Sequence, residues 1–501
     1  MRAIGLAILA LLCGTAQAFT PDVSDLPGVP QMTLDAKVVK SAIASAKNQP
    51  LQFAVGASVG ATVDSGIWDE PEAGVARWRL RVHSAGASSL NFAFSTLTLP
   101  KDATLYLYTD GGRDVQGPYT SADNGEFVSP IVRSDTAVFE ARMPTAERSG
   151  FVAKLATAFH AYRDITSKSF TYDADDDIGT GASGACEVNV ACSAGDDWRD
   201  DIRAVVLVTV VSGSYEYLCS GTLLNNAEQD DRALVLTAHH CEITASNVAK
   251  SRAYFNVEAS ACSGGTAGSV SQNIAGKTLI AGTSGTTVTD YTLFELASVP
   301  PSSYDVYYAG WEISSTAPTS GVVIHHPAAD DKKISTYTTT ASAVSSVDFG
   351  DFKADTWSVT WSEGATEEGS SGSGLLNENH RVVGTLSGGS SECSGTSNNG
   401  AADYFARLDK AWTATSSTGT TLETALASDS GCTTLDGKDA GTASTVDCSD
   451  DSSDDSSSDD SSSDSSSTTT SDSGGGGGGS CGVLFMPLAL AALWRRRKTT
   501  G

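Results

Sequence analysis

The sequence returns again and again to short runs in which apolar and polar residues alternate. WRLRV at 78–82, LNFAF at 90–94, TLYLY at 104–108 and AVFEARM at 137–143 show the pattern early in the chain. From 179 onward RAVVLVTV at 203–210, YLCSGTLL at 217–224, RALVLTAHH at 232–240 and RVVGTLSGG at 381–389 are further strand signals, without convincing helical periodicity. Period-two alternation puts successive side chains on opposite faces, which a strand satisfies and a helix does not. Pro, Gly and Asp in LPKDA and TDGGRD punctuate the runs, as turns between antiparallel strands require. The chain is therefore expected to be all-β. A sandwich-like region is expected over residues 19–178, and a barrel or sandwich built from many short strands over 179–428. DADDD at 173–177 and GTGASG after it mark the hydrophilic boundary between the two.

At 501 residues the chain exceeds one ordinary domain. Its first eighteen residues, MRAIGLAILALLCGTAQA, have a basic start, a short apolar core and small residues before the cut. These are the parts of a secretory signal peptide over residues 1–18, whose removal takes Cys13 with it. Export makes disulfides permissible for the remaining cysteines. A zinc site is the competing reading, and the long spacings without a CxxC pair weigh against it. A formal charge of −28 argues against nucleic acid as a partner. Residues 447–472 are almost only Asp, Ser and Thr, which cannot bury a core, so 429–474 reads as a solvated linker.

Residues 475–501 begin in a glycine run and end in a short apolar segment, Val483 to Trp494, followed by Arg495 to Lys498. That segment is shorter than the ~20 residues of a stable membrane span, so membrane association is expected to be transient or lipid-mediated. The tail resembles the GlyGly-CTERM sorting signals that rhombosortases cleave in Gram-negative bacteria. Secretion machinery and such a processing protease are then expected partners, and the location extracellular or on the cell surface. Cys481, just past the glycines, either carries a lipid or is discarded.

Chemistry is most concentrated at TAHHC, residues 237–241, and HHP, residues 325–327. On strands, neighbouring histidines point to opposite faces and do not easily share one metal. HExxH is absent, so no metal or cofactor is expected. EEGSSGSG at 367–374 offers a serine between glycines, where a hydroxyl can project from a tight turn and backbone N–H groups can converge. GLL at 374–376 and VVGTL at 382–386 suggest a hairpin after it. DYTLFEL at 290–296 opens with Asp290 ahead of an apolar strand. The order His, Asp, Ser within an exported all-β region is that of chymotrypsin-type serine proteases.

GACEVNVAC at 184–192, DDIRAVV at 200–206, CSGTLLNN at 219–226, LTAHHC, DYTLFEL, HHP, EEGSSGSG and GGSSECSG at 388–395 occur in the order seen in lysyl endopeptidases. The region resembles that family, a bacterial secreted branch of the trypsin-like fold, and the cysteine-free segment before it resembles the family's pro-region. The resemblance implies a chymotrypsin-like double β-barrel at 179–428 and a zymogen acting on protein or peptide substrates. By position, His240 would be the general base, Asp290 its orienting carboxylate and Ser371 the nucleophile. Backbone N–H groups of Gly369 and Ser371 would form the oxyanion hole. His325 and His326 would have no such role and would help shape the cleft. The family pattern also implies disulfides Cys186–Cys393, Cys192–Cys262 and Cys219–Cys241, leaving Cys432 and Cys448 to pair.

Trypsins carry a pocket carboxylate six residues before the nucleophile, where Ala365 stands here. The resemblance instead implies Asp403 as the carboxylate facing a substrate ammonium, with Ser387, Gly388 and Gly389 along the pocket wall. Family members have a histidine at the position of Ser387, and its tryptophan partner falls nearest Asp348 or Phe349. Cleavage after basic residues is therefore expected, Lys favoured and Arg possible. Ser370 occupies the place where trypsins have an Asp that pairs with a freshly cut N-terminal amine, so that ion-pair switch cannot operate. The family's processing junction maps near Thr180–Gly181, but no Lys or Arg precedes that bond and Lys168 is the nearest upstream, so cleavage by another protease, not self-processing, is expected there. The pro-region is expected to aid folding and block the cleft. The alternative to an enzyme is a catalytically silent surface adhesin or binding module on the same scaffold.

Overall fold

A computed structural model describes residues 19–45, 52–162, 183–285, 287–428 and 431–443. The signal peptide, the 163–182 junction, Cys448 and the C-terminal tail lie outside the described residues. Among those described, no helix is long and apolar enough to cross a membrane.

The alternating runs at the N-terminus form two facing sheets. One contains Gln31–Thr33, Val75–His83, Thr136–Pro144, Thr104–Thr109 and Gln116–Tyr119, with Ile67–Glu72 paired alongside Val75–His83. The other contains Gln52–Thr62, Val152–Ala161, Leu90–Thr98 and Gly125–Val128. Their inward residues, among them Trp78, Leu80, Phe92, Leu105 and Phe139, meet in one apolar core. This is a β-sandwich, in which alternation buries one face of each sheet.

The rest of the described chain is a double barrel. In the first barrel the strands run Val205–Ser212, Ser251–Tyr254, Asn273–Gly282, Thr292–Leu296, Leu234–Thr237 and Tyr215–Leu224. The last of these pairs back onto Val205–Ser212, from Val205 opposite Thr222 to Ser212 opposite Tyr215, and closes the ring. In the second the order is Lys333–Tyr337, Gly321–His325, Gly374–Asn377, Arg381–Gly389, Ala402–Arg407 and Lys353–Thr360. A bridge between Thr336 and Glu363 brings its ends together. Leu224, Leu236 and Leu293 of the first barrel share a core with Ile324, Leu376 and Val382 of the second.

Three disulfides join Cys186 to Cys393, Cys192 to Cys262 and Cys219 to Cys241. The third ties the Tyr215–Leu224 strand to the turn that carries His240. Cys432 is also disulfide-bonded, but its expected partner Cys448 lies outside the described residues.

Two features depart from the sequence reading. The sandwich is not a separate body, because its Gln52–Thr62 strand pairs antiparallel with Tyr215, Glu216 and Tyr217 of the first barrel. Phe53, Ile131 and Phe159 pack there against Leu207, Leu218 and Tyr254. Residues 431–443, expected at the start of the solvated linker, instead belong to the fold. Thr434–Leu435 pairs with the Gly310–Glu312 strand, and Lys438–Asp439 pairs with Tyr307–Tyr308. Leu435 is fully buried in the inter-barrel core with Trp311. Composition pointed to a linker because the apolar anchors are sparse, yet Leu435, the Cys432 disulfide and polar contacts such as buried Lys438 with Asp231 and Asp436 with Arg381 all hold the segment. Leu435→Ala in a Ser371→Ala background is expected to cost about 2–5 kcal/mol. Equilibrium urea unfolding measures it, and a loss below about 0.5 kcal/mol, the range of surface substitutions, would mean the segment does not support the core.

Candidate active site

The Leu234–Thr237 strand stops one residue short of Ala238, and His239–Cys241 form a 3₁₀ turn that ends on Glu242 in the left-handed region. This corrects the expectation that TAHH continues the strand. It also removes the opposite-face argument for the two histidines, since both line the same cleft. The turn leaves the His240 N–H free of its own strand, and that N–H donates to Asp290 Oδ1 at 3.0 Å. His240 Nδ1 lies 2.8 Å from Asp290 Oδ2, so one carboxylate fixes both the main chain and the ring. An ionised Asp290 can only accept, which makes Nδ1 the protonated nitrogen and leaves Nε2 with its lone pair available as an acceptor.

Asp290 has no solvent-exposed surface. Burial by itself would raise its pKa, but the His240 charge and hydrogen bonds outweigh that and hold the carboxyl below its ordinary value. The Ser387 hydroxyl adds to that effect by its proximity, although it is buried without reaching hydrogen-bond geometry to any described group. From the second barrel, Thr385 Oγ1 donates to the Asp290 carbonyl at 2.8 Å. The exposed face of the imidazole is covered by Phe352, whose ring is parallel to it within 7° at 5.3 Å. Phe349 stacks in turn on Phe352 at 4.9 Å. The sequence reading looked for one tryptophan near 348–349 and missed Phe352. The signal was the Phe-x-x-Phe spacing across the tip of the hairpin formed by Ser342–Asp348 and Lys353–Thr360.

Ser371 lines the same cleft, of about 1500 Å³, as His240. Its carbonyl accepts from the Ser220 N–H at 2.8 Å, which anchors it to the first barrel. Among the described residues its hydroxyl has no hydrogen-bond partner. Catalytic contacts of this kind are commonly long before substrate arrives. The turn before it has a defined polarity. The Glu368 carbonyl accepts from the Ala328 N–H at 2.6 Å, and the Ser370 carbonyl accepts from the Ser373 N–H at 3.1 Å. In a trans peptide the N–H points away from the C=O, so the Gly369 and Ser371 N–H groups face the other way. Neither has a partner among the described residues. Gly369 adopts φ +99°, and a Cβ there would lie 2.8 Å from the His326 carbonyl, so only glycine fits.

Asp403, on the Ala402–Arg407 strand, forms part of the cleft wall with Ser387, Gly388 and Gly389. It is fully buried, and burial raises its pKa even though hydrogen bonds from Ser391, Trp361 and Thr366 act in the opposite sense. Oδ2 accepts from Trp361 Nε1 at 2.6 Å, from Thr366 Oγ1 at 2.7 Å and from Ser391 Oγ. Among the described residues Oδ1 accepts only the Ser391 N–H, at 3.1 Å. A Cβ on residue 389 would sit 1.9 Å from Asp403 Oδ1, so glycine there makes room for the carboxylate. Trp361, Thr366 and Ser391 were not legible as partners of Asp403, because they come from loops set only by barrel closure.

His325 and His326 are fully buried and do not line the cleft, which corrects the expectation that they shape it. No described residue of the N-terminal sandwich lines it, and residues 163–178, the end of the segment expected to block the cleft, lie outside the described residues. Among the described residues, one grouping of metal-ligand types, Glu187, Glu367 and Cys393, falls within 4.8 Å. The Cys393 sulfur is in a disulfide, which leaves two carboxylates.

With this geometry in view, comparison with known proteins gives a consistent result. A model of the lysyl endopeptidase C-terminal domain matches residues 180–406. The lysyl endopeptidase of Pseudomonas aeruginosa PAO1 is 30% identical over 383 residues, covering 71% of this chain and 78% of that protein. Solved structures match more loosely. The thermostable serine protease AL20 from an extremophilic microorganism is 14% identical with a TM-score of 0.29, over 42% of this chain and 92% of that one. The protease Anisep of Arthrobacter nicotinovorans is 15% identical with a TM-score of 0.28, over 42% of this chain and 91% of that one. The chain belongs to the lysyl endopeptidase family and is a serine endopeptidase.

Proposed function

We propose that this endopeptidase is exported as a zymogen and cuts peptide bonds after basic residues, lysine ahead of arginine. In this reading Ser371 Oγ attacks the scissile carbonyl as His240 Nε2 takes its proton, and Asp290 steadies the imidazolium. The oxyanion that forms is met by the Gly369 and Ser371 N–H groups. Collapse of the tetrahedral species breaks the C–N bond, and His240 returns the proton to the leaving amine. Water, activated by the same imidazole, then hydrolyses the acyl-enzyme.

The observation that carries the substrate assignment is the hydrogen-bond imbalance of Asp403. Oδ2 already accepts three protein donors, whereas Oδ1 accepts one. A guanidinium fork needs both oxygens of a carboxylate, but an ammonium can bind through a single oxygen. The open capacity on Oδ1 therefore favours lysine, and a buried carboxylate makes the contact strong because little water screens it.

Three outcomes follow from this reading. A fluorophosphonate probe is expected to label the processed protein covalently and to leave Ser371→Ala unlabelled; an unlabelled parent would remove the catalytic role. On a panel of Lys, Arg, Phe and Glu fluorogenic peptides, kcat/KM is expected to be highest for Lys. Asp403→Ala is expected to lower the Lys value about a hundred- to several-thousandfold, the cost of leaving a charge unpaired in a buried site. Preference for Phe or Glu, or no loss in the variant, would exclude the pocket. Finally, Asp403 must be ionised to hold an ammonium, and burial raises its pKa. KM for Lys peptides is thus expected to rise on acidification while the pH is still above the range of an exposed aspartate. A KM flat down to that range would contradict the assignment.

A further inference from the structure

Immediately before the proposed nucleophile, Ser370 is fully buried with its hydroxyl 2.7 Å from His325 Nδ1. The same hydroxyl oxygen accepts the Glu367 N–H at 3.1 Å. On the other side of the ring, His325 Nε2 is 3.2 Å from Ser335 Oγ, and Ser335 Oγ donates to the Ala365 carbonyl at 2.6 Å. The proton directions in this chain follow from the donor count. Ser335 has one hydroxyl proton and gives it to a carbonyl, so it can only accept from the ring, and Nε2 carries the hydrogen. Nδ1 is then the acceptor and takes the Ser370 proton. Burial, reinforced by the charges of His326 and Lys333, pushes the imidazole pKa down to about 3, so the ring stays neutral.

The chain therefore runs from Glu367 N–H through Ser370, His325 and Ser335 to Ala365. It begins and ends in the 365–371 loop, which lines part of the cleft and holds the two N–H groups that have no partner among the described residues. His325 is on the rigid Gly321–His325 strand, paired with Lys333–Tyr337 and Gly374–Asn377. Glu187 Oε2 lies 3.7 Å from Nε2, and Glu187 is on the segment whose Gly184 N–H donates to Glu367 Oε1 of the loop at 2.9 Å. Both Glu187 oxygens are buried without a hydrogen-bond partner, and burial, with Glu367 nearby, pushes its pKa well up.

We propose that neutral His325 is a positioning residue that fixes the Gly369–Ser371 turn through the Ser370 hydroxyl, so that the two N–H groups face the cleft. It does with an uncharged relay the work that an aspartate at position 370 would need an ammonium partner to do. The inference rests on the catalytic reading of Ser371. Its effect falls on the transition state, where the oxyanion forms, and not on the pocket that holds the substrate side chain.

The test uses the processed protein, with fluorophosphonate labelling of the parent as the first step. His325→Leu is expected to lower kcat about ten- to a thousandfold, up to the loss seen when one oxyanion donor is removed, with KM within about threefold of the parent. Affinity for a lysyl peptide aldehyde, which forms a tetrahedral adduct, is expected to fall by a similar factor. Inhibition by a simple alkylamine, which fills only the side-chain pocket, is expected to be unchanged. His325→Gln offers a planar acceptor and donor at similar spacing and is expected to recover much of the loss. Ser370→Ala removes one hydroxyl and is expected to give the same kcat and aldehyde effect, even if His325→Leu does not fold. A labelled parent with unchanged kcat and aldehyde affinity in Ser370→Ala overturns the proposal alone. An equal loss of alkylamine binding overturns it too, by showing general damage. An unlabelled parent removes the catalytic reading and this proposal with it.

Discussion

A carboxylate without solvent contact persists as an anion only where its surroundings replace water, and Asp290 is that group here. Its two oxygens are met by the main chain and the ring of His240, and its carbonyl by Thr385. The first two partners belong to the first barrel and the third to the second. The carboxylate therefore sets the imidazole orientation, and the main-chain carbonyl of the same residue is tied to the second barrel. The fold places Asp290 where it does because it precedes a central strand of the first barrel, Thr292–Leu296, and so reaches the shared core.

On the opposite side of the cleft, the physical problem is one of backbone direction. A turn has no intrinsic reason to aim two N–H groups at one point. Here the carbonyls of Glu368 and Ser370 are held from behind, which turns the Gly369 and Ser371 N–H groups to the opposite side of their peptides. Ser220 donates its hydroxyl to the Gly369 carbonyl at 3.0 Å and accepts the His326 N–H, so HHP serves the turn from below. The buried histidine pair supports the loop and does not touch the cleft.

What the sequence made legible was local in character. Alternation located the strands, and the TAHHC, DYTLFEL and EEGSSGSG segments identified residues that the fold brings into or beside one cleft. Three of the cysteine pairings also agree with those implied by the resemblance. What escaped depends on distant segments meeting. The Phe352 stack needs the hairpin tip to fold over His240, and the Asp403 partners come from two separate connections, 361–373 for Trp361 and Thr366 and the one after Gly389 for Ser391. Residues 431–443 looked like linker because polar composition does not show that Leu435 and Cys432 are buried or that Asp436 and Lys438 find partners on the barrels. The end of the strand at Thr237 was hidden for another reason. An apolar-to-polar run gives no cue for a turn when the tertiary partner, Asp290, supplies the hydrogen bond that ends it.

The pairing of Gln52–Thr62 with Tyr215–Tyr217 has a consequence for any event that parts the two regions. A single cut in the intervening chain would leave the fragments joined, since the sheet is continuous and the Phe53, Ile131 and Phe159 side chains remain wedged against the barrel. Actual departure would uncover an unprotected strand edge flanked by aliphatic side chains, a template for indiscriminate self-association. Glu216 sits at that edge, buried and bonded to Asn91 of the sandwich. Once wetted it would ionise, and the newborn surface would carry its own electrostatic deterrent to clumping.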